Sequence, residues 1–172
     1  YQVNTFQITA SAGAFEPNDT LVTATTLTFD ASGQARLAGL TLGDGPYGSP
    51  SGLDVDIFKV SLPRGGEITG EVRAKRLSSP SSLDSYLRIF DANGAQLTSN
   101  DNYYGNDSYV DVFVPTGGDY YIAVSGYGNA AYNPRIGGSG TTQSLGVYDL
   151  IVNTTLVTQG TGTVNSTFTT AK

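Results

Sequence analysis

The sequence predicts an all-β chain, folded as an antiparallel β-sandwich of jelly-roll-like type. Three observations carry that expectation. Apolar and polar residues alternate with a period of two in eight or so short segments, the pattern of half-buried strands. Clusters of Gly, Pro, Asn and Asp punctuate these segments at roughly 8–15-residue intervals. No stretch rich in Ala, Leu, Glu and Lys supplies the helical crossovers that a parallel α/β sheet needs.

Taken in order, residues 1–9 alternate weakly and read as a strand, followed by a small-residue linker over 10–14. Pro17 bars a central strand and Asn18-Asp19 favours a turn. Strands are expected over Ala24–Phe29 and Gln34–Thr41. A Gly/Pro/Ser loop over 43–52 leads into a strand from Asp54 to Leu62. There Phe58, Val60 and Leu62 share one face, and Asp54 and Asp56 have the same parity. Glu67–Ala74 places Ile68, Gly70, Val72 and Ala74 on one side. Asp84–Phe90 and Ala95–Thr98 form a hairpin across Asp91-Ala92-Asn93-Gly94, where Asn-Gly suits φ > 0. Tyr109–Val114 turns Val110, Val112 and Val114 inward, and Asp119–Ser125 does the same with Tyr120, Ile122 and Val124. Tyr86 and Tyr148 also read as core residues. The Gly/Asn/Ser stretch over 126–146 exceeds usual loop lengths and implies a functional, ordered or metal-tied excursion. Val147–Val152 closes the fold.

Composition narrows the function. The 172 residues include 22 Gly and 11 Tyr, and the formal net charge is −6. The pI of about 4.3 argues against nucleic acid and against an anionic membrane surface. No apolar run reaches the ~18 residues of a membrane span. His is absent, which removes His-dependent triads and ordinary zinc sites. No Ser-x-x-Lys pattern replaces them, so the chain is expected not to be an enzyme. Cys is absent too, so bound metal is the natural substitute for disulfides in an exported domain. With no Met anywhere, the chain reads as a processed product or an excised piece. Low charge with abundant Gly, Thr, Asn and Tyr is the composition of a secreted or surface bacterial protein.

Two acidic segments stand out: Glu16-Pro17-Asn18-Asp19, and Asp54-Val55-Asp56 beyond the Gly/Pro/Ser loop. Their donors are all hard oxygens, a set that favours Ca²⁺. Turn chemistry alone also accounts for Asn and Asp at such places. It does not account for two carboxylates at the rim of an apolar face, which repel unless a cation or protons neutralise them. A second cation would join Asp84, Asn100, Asp101 and Asp107, where turn chemistry is the stronger alternative. Tyr47, Tyr103, Tyr104, Tyr127 and Tyr132 lie in loops. Of these, Tyr103, Tyr104 and Tyr127 are candidates for a ligand platform, since Tyr gives large contact area at low entropy cost.

These pieces, with Leu83-Asp84-Ser85-Tyr86-Leu87, Asn100-Asp101-Asn102, Gly118-Asp119-Tyr120-Tyr121 and Gly146-Val147-Tyr148-Asp149-Leu150, follow an order that resembles the bacterial pre-peptidase C-terminal domain family. The resemblance covers residues 15–153. It implies a β-sandwich appended to secreted peptidases and other exported proteins, related to the collagen-binding domains of bacterial collagenases. Carried over from those relatives, the Ca²⁺ ligands are Glu16, Asn18, Asp19, Asp54 and Asp56. Ile57 stands where the family usually has an aromatic. Residues 1–14 are then a strand and linker, either added to this unit or left from a preceding one, because Tyr1-Gln2-Val3-Asn4 echoes the closing strand. Residues 154–172 are a Thr-rich extension. The implied partners are the other domains of a parent polypeptide. An extracellular protein or polysaccharide would be the partner of a targeting module or of an adhesin repeat.

Overall fold

The computed structural model describes residues 7–9 and 13–157. The expected strand over 1–6, linker residues 10–12 and the tail over 158–172 lie outside the described residues. The strands are β1 (Gln7–Thr9), β2 (Thr25–Thr26), β3 (Gln34–Leu42), β4 (Asp56–Leu62), β5 (Gly66–Arg73), β6 (Ser85–Asp91), β7 (Gln96–Asn100), β8 (Tyr109–Val114), β9 (Gly118–Gly126) and β10 (Gly146–Leu156). Among the described residues no helix is long and apolar enough to cross a membrane.

Among the described residues two five-stranded sheets face each other, ordered β1-β3-β10-β5-β8 and β2-β4-β9-β6-β7. From β3 to β10, every connection changes sheet except the β6–β7 hairpin. That is the alternation of a jelly roll. The inward residues of both sheets form one core. Leu37, Leu40, Leu42, Ile68, Val72 and Leu150 from the first sheet meet Phe58, Val60, Leu87, Ile89, Ile122 and Val124 from the second. Gly70 sits in that interface because a Cβ there would lie 2.1 Å from Ile122 Cδ1. A smaller cluster of Leu21, Val55, Ile57, Phe90, Ala123 and Tyr132 covers the outer face of the second sheet. The long loop after β9 supplies its Tyr132, so this excursion is packed onto the sandwich.

Several expectations are corrected in detail. One edge strand of each sheet pairs in parallel, β1 with β3 and β2 with β4, while the other ladders are antiparallel. No helical crossover is needed, because the chain reaches the parallel position by passing through the opposite sheet. β2 is shorter than Ala24–Phe29 and lies at an edge. In the β6–β7 turn Gly94 alone has positive φ (73°), and Asn93 does not. The Gly94 N–H donates to Asp91 O at 3.0 Å, and Asp91 Oδ1 accepts from the N–H groups of Asn93 and Ala95. This is a four-residue turn closed by a left-handed glycine, not a two-residue Asn-Gly turn. β10 runs on to Leu156, opposite Gly66 of β5. Tyr120 and Tyr148 are buried as expected, but Tyr86 is half-buried and donates to Ser99 Oγ. Tyr132, read as a loop tyrosine, is 3% exposed, with its ring 6.3 Å from that of Phe90.

Candidate metal centre

Three segments converge at one end of the sandwich. Phe15 packs edge-on against Phe58 of the core, with ring centroids 6.3 Å apart, which pins the N-terminal strap. Next along the strap, the Ile57 N–H donates to Asn18 O at 3.0 Å, fixing Glu16–Asp19 against the start of β4. The loop over 43–53 then folds back over both. Its Gly43 N–H donates to Asp54 Oδ2 at 2.5 Å, and Asp44 Oδ2 accepts from the Gly13 N–H at 2.6 Å. Asp56 points inward from β4, and its Oδ2 accepts a 2.5 Å hydrogen bond from the buried Tyr148 hydroxyl on β10.

The result is a cluster in which one carboxylate oxygen from each of Glu16, Asp44, Asp54 and Asp56 lies within 4.8 Å of the others. Asn18 places its side-chain amide 2.9 Å from Glu16 Oε1 and 3.2 Å from Asp56 Oδ1. Either the NH2 turns in and donates to both carboxylates, or the oxygen turns in and faces a shared cation. Asp19 sits beside Asp54 and is 4% exposed. Glu16 Oε2, Asp54 Oδ1 and both oxygens of Asp19 are buried without a hydrogen-bond partner. None of these five carboxylates forms an ion pair among the described residues. Gly45 makes room for the convergence, since a Cβ there would lie 2.2 Å from Glu16 Oε2 and 2.9 Å from Asp54 Oδ1. Beside the cluster is a hollow of about 10 Å³ lined by Glu16, Asn18, Asp44 and Asp56, large enough for one water-sized occupant.

The electrostatics follow from crowding. Burial, with the charges of Asp54 and Asp19 added, pushes Glu16 up to about 7. Burial and Asp54 do the same to Asp19, also to about 7. Burial raises Asp54 as well, and together with Asp54 and Glu16 it holds Asp56 far above the ordinary carboxylate range. Desolvation and like charge both oppose ionisation here, and only protons or a cation relieve them.

The structure thus brings together Glu16, Asn18, Asp19, Asp54 and Asp56, and adds Asp44, which sequence reasoning missed. The available signal was its Gly-Asp-Gly setting, at the head of a loop that must return to Asp54. The second set is not assembled in the same way. Asp107 is fully engaged. Its Oδ1 accepts from the N–H groups of Ala74 and Lys75, and its Oδ2 from the N–H and Nε of Arg76. It fastens the turn that follows β5 from more than thirty residues away in sequence. Asp84 and Asn100 each bury one unpartnered oxygen, and Asp101 contributes negative charge next to Asp84. Among the tyrosines, Tyr103 stacks edge-on with Tyr104 at 4.7 Å and leans on Tyr109 at 5.0 Å. Arg76 lies 4.2 Å above the Tyr104 ring. Tyr127 is 63% exposed and, among the described residues, pairs with none of these rings.

The fold and this cluster define a jelly-roll module with a buried acidic end. The family model of the bacterial pre-peptidase C-terminal domain matches residues 54–126, so the resemblance read from the motifs is shown over that segment. The chain is 34% identical over 111 residues to a protein of Deinococcus radiodurans described as a probable subtilase-type serine protease. That match takes in 64% of this chain and 14% of the length of the protease. Among solved structures, the periplasmic inhibitor of g-type lysozyme from Aeromonas hydrophila aligns at 16% identity and a TM-score of 0.49, covering 87% of this chain and 100% of the inhibitor. The pre-peptidase C-terminal domain of a Bacillus anthracis collagenase aligns at 13% identity and a TM-score of 0.47, covering 76% and 94%.

Proposed function

We propose that the chain is a non-catalytic, Ca²⁺-binding accessory domain of a larger exported bacterial protein, and that the cation ties its N-terminal strap to the sandwich. The observation that carries this reading is the set of buried, unpartnered carboxylate oxygens of Glu16, Asp19 and Asp54 facing one another, with no basic residue paired to them among the described residues. The donor set favours Ca²⁺ over Mg²⁺: Ca²⁺ takes 6–8 oxygens in flexible geometry, whereas Mg²⁺ demands near-ideal octahedral geometry and keeps several waters. Four carboxylates and an amide gathered from a strap, a loop and a strand suit the more tolerant ion. Glu16, Asn18, Asp44, Asp54 and Asp56 would hold the ion, with Asp19 beside them. The ion would supply charge neutralisation and a cross-link between the strap, the 43–53 loop and β4. The partial match to a subtilase-type protease supports placement next to a catalytic domain and outside the cytoplasm.

Calorimetric titration of EDTA-stripped protein, with melting curves for both forms, tests this. Saturable binding is expected. At a Ca²⁺ concentration 100 times Kd the gain is about 2.7 kcal/mol, a rise of roughly 5–10 °C for a chain of this size. Absence of both heat and shift would refute the reading.

A second reading rests on the Tyr103–Tyr104–Tyr109 stack and its Arg76 cap, which form an exposed aromatic surface suited to an extracellular protein or polysaccharide. Retention on insoluble polymers that is lost in Tyr103→Ala/Tyr104→Ala supports it. Equal retention by the variant removes it.

A further inference from the structure

The β4–β9 ladder pairs Asp56 with Val124. Two residues further along the same register Asp54 would meet Gly126, but the strands have parted there. The Gln143 side chain fills the gap. Its Nε2 donates to Asp54 O, and its Oε1 accepts from the Gly126 N–H at 2.5 Å. The amide thus replaces a ladder rung at the residue that also carries a cluster carboxylate. Two more contacts join the same segments. The Tyr47 ring packs over Gly137 and Gly138, where any Cβ would collide with it. Thr142 Oγ1 reaches Ser51 O at 3.5 Å and its methyl packs beside Gly52. The segment 43–54 is therefore a shared wall, with Asp44 and Asp54 on one side and residues 137–143 resting on the other. The earlier part of the long loop is anchored elsewhere, by Tyr132 against Phe90 and by Arg88 donating to Tyr132 O.

We infer that residues 137–143 are coupled to the acidic cluster through the 43–54 wall, with Gln143 as the positioning residue, so that a cation in the cluster orders this half of the long loop. The inference rests on the Ca²⁺ reading above and extends it to a surface the ion does not touch. Without a cation, repulsion among the carboxylates loosens the wall, and the loop loses the support of Tyr47, Ser51 and Asp54, keeping its bonds to Tyr127, Gly128, Asn129, Asn133 and Asp84. With a cation, Asp54 is fixed, and its carbonyl holds Gln143. By linkage the dependence is reciprocal, and an ordered loop tightens Ca²⁺ binding.

Hydrogen exchange on the intact chain, with and without Ca²⁺, tests it. The amides of Ser139, Thr141 and Ser144 are hydrogen-bonded within the loop and report on it. Ca²⁺ is expected to slow them about fivefold or more, together with the strap over 13–19, and to leave Tyr127 and Asn129 nearly unchanged. In Gln143→Ala the strap still responds, residues 137–144 no longer do, and Ca²⁺ affinity falls by about fivefold. If Ca²⁺ slows the strap but not residues 137–144 of the unaltered chain, the coupling is wrong and the Ca²⁺ reading stands. If neither segment responds and no Ca²⁺ binds, both fall.

Discussion

At the scale of single residues, the acidic cluster inverts the usual expectation for a buried side chain. Removing a buried group that makes a hydrogen bond ordinarily costs stability. Asp54 is fully buried, and one of its oxygens accepts from Gly43 while the other faces carboxylates. Asp54→Asn keeps the shape and the acceptor for Gly43 but removes a charge from a repulsive group. The metal-free variant is therefore expected to melt about 2–4 °C above the unaltered chain at pH 7.5, a gain of ~1 kcal/mol, and to lose most of the Ca²⁺-induced rise. Melting curves in EDTA and in Ca²⁺ read both effects. A drop in metal-free melting temperature would mean that Asp54 serves as a turn residue and not as a member of a charged cluster. Tyr148 has the complementary role. Its hydroxyl occupies Asp56 Oδ2 and leaves the other oxygen turned toward Asn18.

At the scale of elements, the two sheets are held at a separation that Gly70 permits. It is an inward position of β5 between Ile68 and Val72, and an added methyl would meet Ile122 Cδ1 and, at 3.3 Å, Val110 Cγ2. Gly70→Ala is expected to destabilise by about 1–3 kcal/mol through overpacking, equally in EDTA and in Ca²⁺, as measured by urea unfolding. A loss confined to one of the two conditions would place the strain at the cation site. Strand positions such as Ile68, Gly70, Val110 and Ile122 were legible in the sequence because alternation is local: a residue and its second neighbour share a face whatever lies opposite. Asp56 was legible for the same reason, through its parity with Phe58; Asp54 lies just outside β4, and its signal was the pairing of two hard-oxygen side chains in Asp54-Val55-Asp56. Asp44 was not, because only the return of the 43–53 loop brings it to Glu16. For Asp107 the sequence left a cation and turn chemistry open, with turn chemistry the stronger, because both have the same local sequence; the Ala74, Lys75 and Arg76 donors that hold it come from a distant strand end. Tyr132 does lie in a loop, but its burial was not legible, because burial of a loop residue depends on what the loop folds against, here Arg88 and Phe90.

At the scale of the whole molecule, two kinds of carboxylate pull the pH dependence of stability in opposite directions. Glu16 and Asp19 rise from 4.5 and 3.8 to about 7 on folding, through burial and neighbouring charge. A group whose folded value is raised binds protons more tightly when folded. Its contribution is complete below its unfolded value and is lost as pH climbs to about 7. Asp107 behaves oppositely. Burial works against its ionisation, but the donors from Lys75, Arg76 and Ala74 outweigh it and hold its carboxyl below 3.8. Its contribution is present above that value and disappears as pH falls through the lowered one. The metal-free chain is thus expected to be most stable between about pH 4 and 5, and to lose melting temperature steadily from there to pH 8. Ca²⁺ reverses the upper limb, because it binds the ionised cluster and takes over the neutralising role of the protons. The difference between the Ca²⁺ and EDTA melting curves should be close to zero at pH 5 and widen through pH 7. A difference independent of pH would separate Ca²⁺ stabilisation from Glu16 and Asp19, and would move the ion away from the cluster.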